Sequence, residues 1–589
     1  MKKFLYSFLG TVAGIWISVF LGFILLFFTI GVIATSSGSK NAPVKVKDDS
    51  VLKITLGGTV VDRETPVNLM EQLYSNAEKA VALTDIVDAI YEAKDDNRIK
   101  GIYLECEGAN MGLAQAQAII KALSDFRKSG KWVYSYADSY TQTDYYVASV
   151  ADSVFINPIG MLDIHGLSAT TMFYKGLMEK LGIEAQVVKV GTYKSAVEPF
   201  LLSGMSDANR EQQELFLGSI WDYVRNKIAT NRNIKADSIN IIADSFTFTK
   251  QADYYLKHGL VDGLKYRHQM STVLASETGK ADDPDFIAFD DYVSLSKSPL
   301  LNKSGKGSKI AVLYAVGDIV DSGSEGISAS AIVPEIMKIA KDETVDGLIL
   351  RVNSGGGSAF ASEQIWEAFE QFKKLCPKKP FYVSMGDMAA SGGYYISCGA
   401  NRIYAEPVTL TGSIGIFGII PNLQPLMKEK LGVNVETVQT NSGSFPTLLQ
   451  PMTDGQKAAM QSYVNNGYEL FVARCAAGRH KTVAQIKAVA EGRVWDGQTA
   501  LKHGLVDKLG GLDMAINDMA AEIGAEDYFT ENYPEVKVKW WEMLLDMDSE
   551  LSAAISDSDA ATMRQATRAY RAIRDMSSLQ CRTNYIKIR

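Results

Sequence analysis

Cysteine and histidine are scarce in this chain, five of each in 589 residues. A disulfide framework is excluded, because such scaffolds are short and cysteine-dense, and no two of these cysteines form C-x-x-C. The histidines include no H-E-x-x-H, which leaves little material for a zinc centre. Proline is sparse as well, 15 residues against 48 glycines, so collagen-like and proline-rich fibrous classes are out. A basic surplus is missing too. Sixty Lys and Arg face 68 Asp and Glu, for a net charge of −8, and no nucleic-acid partner is expected. What the chain does have is apolar residues, 47%, a normal share for a folded protein and too high for a disordered one. Its length allows several domains.

Lys2 and Lys3 precede an uncharged, mostly apolar run from about Phe8 to Ala34. About 20 apolar residues cross a bilayer core, so residues 1–40 are expected to form a transmembrane anchor. The rival is a cleavable signal peptide, whose apolar stretch usually runs only about 7–15 residues. The greater length favours the anchor. The two leading lysines favour a cytoplasmic start, and Lys40, Lys45 and Lys47 beyond the run weaken that bias. A body tethered on the cytosolic side is the remaining alternative.

The body repeats itself. Leu256-Lys257-His258-Gly259-Leu260-Val261-Asp262 recurs as Leu501-Lys502-His503-Gly504-Leu505-Val506-Asp507. Other pairs follow in the same order. Gly58-Thr59-Val60-Val61-Asp62 answers Gly317-Asp318-Ile319-Val320-Asp321, Tyr145-Tyr146 answers Tyr394-Tyr395, and Leu181-Gly182-Ile183 answers Leu431-Gly432-Val433. Two copies result, residues 50–300 and 308–525, with a Ser/Lys/Gly-rich join at Lys297 to Lys309. Within each, β-branched runs alternate with amphipathic stretches, which predicts an α/β fold with parallel strands. Residues 526–589 are expected to add a helical extension, amphipathic from Trp540 to about Ser577.

Two glycine loops of the second copy follow predicted strands: Asn353-Ser354-Gly355-Gly356-Gly357-Ser358 and Asp387-Met388-Ala389-Ala390-Ser391-Gly392-Gly393. Neither is a phosphate-loop or dinucleotide fingerprint. Ser391 at a helix start reads equally as an N-cap or as a nucleophile with the Gly392 N–H beside it. No histidine stands in a catalytic setting, and Ser-Lys is a known variant of the triad. A lysine base must be neutral, which requires burial. Lys194, in Val190-Gly191-Thr192-Tyr193-Lys194-Ser195-Ala196-Val197, has the small and apolar neighbours this needs, although an exposed loop is the usual place for a lysine. The repeat shifts the balance. Gln142 aligns with Ser391, Ser444 with Lys194, and Ala109-Asn110-Met111 with the glycine run. Each copy therefore keeps half of one Ser-Lys machine.

Together these motifs, with Thr411-Gly412-Ser413-Ile414-Gly415 and Met388-Ala389-Ala390-Ser391-Gly392-Gly393-Tyr394-Tyr395, resemble the signal peptide peptidase A family in its long, tandem-domain form. Gly355 replaces the proline usual in that family's first loop. The resemblance implies tandem duplicated Clp/crotonase-like domains behind the anchor. It implies a serine endopeptidase that degrades released signal peptides and other apolar peptides through an acyl-enzyme. It makes Ser391 the nucleophile and Lys194 the base. It gives the oxyanion hole to Gly392 with Gly356 or Gly357, and makes Ser413 a support for the lysine. It implies no cofactor, a homotetramer, and a bacterial inner membrane with the body on the periplasmic side. The competing functions are a crotonase-like acyl-CoA enzyme, which explains the glycine loops but not the dyad, and a non-catalytic membrane scaffold.

Overall fold

The computed structural model describes residues 45–63, 80–281, 283–295, 307–323, 326–535 and 580–582, with the isolated residues 14 and 22. The chain divides into two units, Met1–Lys47 and Asp48–Arg589. The expected anchor and the expected helix from Trp540 to Ser577 lie outside the described residues. Among the described residues no helix is long and apolar enough to cross a membrane.

The second unit is α/β and holds both copies. The first copy is built on six parallel strands, in the order Gly263–Leu264, Ser153–Ile156, Trp132–Ala137, Ile99–Cys106, Ser50–Leu56, Phe286–Ala288. The second repeats that plan as Arg402–Ala405, Phe381–Ala390, Val345–Ser354, Ser308–Val316, Tyr528–Tyr533, again parallel. Parallel strands are covered on both faces, so they read as unbroken apolar runs. Leu348-Ile349-Leu350 is such a run. Leu348 and Leu350 face a large core with Phe369, Phe372 and Ile336, while Ile349 faces Ile516 and Met519 on the other side.

The duplication reaches single hydrogen bonds. Tyr145 donates to the Leu260 carbonyl at 2.7 Å, and Tyr394 to the Leu505 carbonyl at 3.0 Å. Asp262 accepts from the Val154 N–H and Asp507 from the Ile403 N–H. The His-Gly pairs end short helices, with Gly259 and Gly504 at φ +70° and +67°, the left-handed turn that glycine takes without penalty. The second copy runs past residue 525. Tyr528–Tyr533 is a strand on its sheet, the counterpart of Phe286–Ala288 in the first, and it pairs with Ser308–Val316. The helical extension expected from 526 onward therefore begins as a strand, since Tyr528-Phe529-Thr530 are β-formers that pair with Ser308-Lys309-Ile310.

A third sheet joins the copies. Glu184–Lys189 of the first pairs antiparallel with Phe417–Asn422 of the second, from Lys189 opposite Phe417 to Glu184 opposite Asn422. Gly356–Ser358 belongs to the same sheet, and Gln580–Arg582 lies between it and Phe417–Asn422.

Candidate active site

The inter-copy strand delivers the lysine. After Lys189 the chain stays on the second copy: the Val190 N–H donates to the Ile416 carbonyl at 3.0 Å and the Tyr193 N–H to the Glu491 carbonyl at 2.9 Å. Lys194 follows, 1% exposed. Two glycines make room for it. A Cβ on Gly492, whose φ is +76°, would lie 2.7 Å from the Lys194 backbone nitrogen, and one on Gly415 would lie 3.3 Å from its Cδ. Lys194 Nζ donates to Ser391 Oγ at 2.7 Å, to Ser413 Oγ at 3.1 Å and to the Ser413 carbonyl at 3.2 Å. Hydroxyl and carbonyl acceptors suit an amine that cycles between neutral and charged forms.

Ser391 sits where Phe381–Ala390 turns into the short helix Gly392–Ser397, with φ 57° and ψ −114°. A residue with a Cβ held there carries about 1–3 kcal/mol of strain. The turn is pinned by the Ser391 N–H donating to the Gly412 carbonyl at 2.8 Å and by the Tyr395 N–H donating to the Ser391 carbonyl. Ser391 makes no side-chain cap on its helix. Of the two readings of this serine, the cap is therefore the one the structure removes. Gly392, first in the helix, has an N–H with no acceptor inside that helix.

The glycine loop lies against the same helix. A Cβ on Gly393 would come within 2.8 Å of the Ser354 carbonyl oxygen, and one on Gly357 would overlap the Ile319 carbonyl. The Gly356 N–H is taken by Ser354 Oγ at 3.1 Å. Opposite the loop lies the end of the chain, Gly356 facing Arg582, Gly357 facing Cys581 and Ser358 facing Gln580.

All six residues expected at the site, Ser391, Lys194, Ser413, Gly392, Gly356 and Gly357, fall in this region, and Lys194 bonds both Ser391 and Ser413. The positions aligned with Ser391 and Lys194, Gln142 and Ser444, make contacts of a different kind. Gln142 is held by its own copy, donating to the Gly166 carbonyl at 2.8 Å and accepting from the N–H groups of His165 and Gly166. Ser444 is exposed and bonds Gln439. Two glycines whose smallness houses the lysine carry no signal of that role in the sequence: Gly415 is there only a member of the motif around Ser413, and Gly492 is in no motif at all. No signal gave a role to Asp62 and Arg351, both buried, or to Asn353 at the head of the glycine loop, half-buried, which together form a network behind that loop. The pairing of Gly58–Asp62 with Gly317–Asp321 marked Asp62 as a repeated position, without a signal for what it touches.

Residues 125–280 and 373–526 match Peptidase family S49. "Protease 4" of Haemophilus influenzae is 37% identical over 547 residues, 87% of this chain and 87% of that one. The chloroplastic serine protease SPPA of Arabidopsis thaliana is 30% identical over 488 residues, 80% of this chain and 69% of that one. Among solved structures, a ClpP1 mutant from Listeria monocytogenes matches 34% of this chain and 91% of its own, at 14% identity and a TM-score of 0.23.

Proposed function

This chain belongs to peptidase family S49 and is a serine peptidase; on that premise we propose that Ser391 is its nucleophile and Lys194 its general base. The observation that carries the reading is the 2.7 Å bond from Lys194 Nζ to Ser391 Oγ, made across the two copies between buried groups. Neutral Lys194 takes the Ser391 proton as Oγ attacks the peptide carbonyl. The amine product leaves with that proton, and water activated by the same lysine hydrolyses the acyl-enzyme. Ser413 holds Nζ on line. The Gly392 N–H and an N–H of the glycine loop meet the oxyanion, Gly357 rather than Gly356 in this arrangement because Ser354 Oγ already takes the Gly356 N–H. One such donor is worth about 3–4 kcal/mol in a comparable protease.

Ser391→Ala and Lys194→Ala in the full chain should each cut peptide hydrolysis by a factor on the order of 10⁴. Steady-state kinetics on an apolar chromogenic peptide measure this, and parent-like rates in both variants overturn the assignment.

The substrates in this reading are apolar peptides, cleaved signal peptides first among them, met by a Clp/crotonase-type body anchored to a bacterial inner membrane through residues 1–40 and facing the periplasm. The apolar run after Lys2 and Lys3 supports that location, and protease accessibility of the body in intact spheroplasts tests it. A ring of four chains fits the repeat. The counterparts of the joining strands are residues 434–439 and 167–172. Neither belongs to a described sheet, and Val438 is fully exposed. Pairing the first with the second on the next chain is a head-to-tail contact, which closes into a ring when its rotation permits. Light scattering should give about four times the 64.4 kDa chain, and a monomer at working concentration ends the ring.

A further inference from the structure

Between Val352 and Ser354 the ladder with Phe381–Ala390 slips. Val352 faces Met385, but Ser354 faces Ala389. One residue, Asn353, therefore spans three, Gly386 to Met388. The resulting bulge re-aims the strand just before it reaches Ser391, and bulges serve this purpose beside active sites. Asn353 holds the bulge from inside. Its Oδ1 accepts from the Met388 N–H at 3.2 Å. A Cβ on Gly386 would come within 2.9 Å of its amide carbon, so the bulge fits around this side chain.

Asn353 is held in turn by the first copy. Its Nδ2 donates to Asp62 Oδ2 at 3.1 Å, and Arg351 Nη2 donates to Asp62 Oδ1 at 2.8 Å. The second Arg351 nitrogen reaches back to Ser384 Oγ and the Met385 carbonyl, on the strand that enters the bulge. The carboxylate fixes which way the Asn353 amide faces, since only its NH₂ can meet an anion, and this leaves Oδ1 for Met388. Asp62 and Arg351 are 6% and 4% exposed. Burial pushes the Asp62 carboxyl up, but the Arg351 charge and the bonds from Arg351, Asn353 and Gln115 outweigh it and hold the group below the usual carboxylate range. It is thus an anion wherever a lysine base can work.

We propose that Asp62 is a positioning residue of the active site in the other copy, acting through Asn353 on the bulge that aims Ser391. The inference rests on the Ser391–Lys194 reading and extends it. The first copy then supplies two things to catalysis, the base and the carboxylate that sets the nucleophile's approach. A shift of about 1 Å in a reacting group can cost about a hundredfold, so a small loss of register suffices.

The test uses the full chain and the variants Asp62→Asn, Asn353→Ala and their combination. Active sites are counted by labelling Ser391 with a fluorophosphonate, and kcat and KM are measured on an apolar peptide. Each single variant should lose about tenfold or more in kcat per labelled site, with KM within about twofold. The double variant should be no slower than the slower single, because both lie on one path. A merely structural carboxylate would lower the number of labelled sites or the melting temperature and leave kcat per site unchanged. That outcome overturns the proposal, and so do losses that multiply in the double variant. If Asp62→Asn does not fold, Asn353→Ala, which keeps the Asp62–Arg351 pair, decides alone. Ser391→Ala run in parallel separates the two readings. Turnover that survives it sinks the dyad, whereas turnover that needs Ser391 and ignores Asp62 sinks only this inference.

Discussion

The lysine's surroundings are made by what its neighbours lack. Among the described residues, Nζ donates to Ser391 Oγ, Ser413 Oγ and the Ser413 carbonyl, and the lysine's backbone runs so close to Gly492 that a methyl group there has no space. Gly492→Ala combines that clash with a left-handed φ. The nearest atoms to the added methyl group all belong to Lys194, so the effect travels through the lysine. We expect kcat to fall about a hundredfold, with overall folding kept because the site is one turn at an edge of the core. Kinetics with circular dichroism check this, and an active, folded Gly492→Ala would mean that the lysine tolerates displacement. The same residue shows what sequence hides. Lys194 and Ser391 could be paired from the sequence because each stands in a motif that its repeat partner has lost. Gly492 stands in no motif, and its role comes from a contact with a residue almost 300 positions away. Asp62 is hidden for the same reason. An aspartate after a short strand reads as a turn residue until its partners on another copy are in view.

Elements show the same division. The strand Val345–Ser354 is legible as the apolar run 347–352, Phe381–Ala390 only through its first half as 380–384, and the helix Ala359–Leu375 through the spacing of Ile365, Trp366, Phe369 and Phe372 within 363–374. The bulge was not legible, since one slipped register leaves composition and periodicity unchanged. Nor was the pairing of Gln580–Arg582 with the glycine loop, because three residues carry no periodic signal. That strand has a consequence. An extended peptide that paired along Gly356–Ser358 on its way to Ser391 would have to displace Gln580–Arg582, which pairs there. Ser391 itself is fully buried. Ending the chain at residue 579 frees the edge, so labelling of Ser391 by a fluorophosphonate should speed up severalfold. An unchanged or slower rate would show that the strand supports the loop rather than occupying the place of a substrate.

At the scale of the whole molecule, the two copies meet through buried charge as well as through the shared sheet. Asp387 crosses in the direction opposite to Asp62, accepting from the Ala114 N–H at 2.8 Å at the start of the first copy's helix Leu113–Arg127. Next to this crossing a cavity of about 30 Å³ is lined by Asp62, Arg351, Glu406 and Asp513. Glu406 is 4% exposed, and its Oε1 has no hydrogen-bond partner among the described residues. Burial, then the Asp513 charge, lifts its carboxyl to about 8, and burial with the Asp62 charge lifts Asp387 to about 6. A carboxyl raised on folding binds its proton more tightly in the native state. Its contribution is fully present below the unfolded value of about 4.3 and is lost as pH rises toward the folded value. Stability from Glu406 therefore declines between about pH 4.5 and 8, by an amount on the order of a few kcal/mol. Glu406→Gln keeps the shape and cannot ionise. It should melt higher than the parent at pH 8, match it near pH 5, and flatten the fall between. Thermal melts of both chains across that range measure the difference, and parallel curves would mean that Glu406 is solvated in the protein and that the contact between copies carries no such proton.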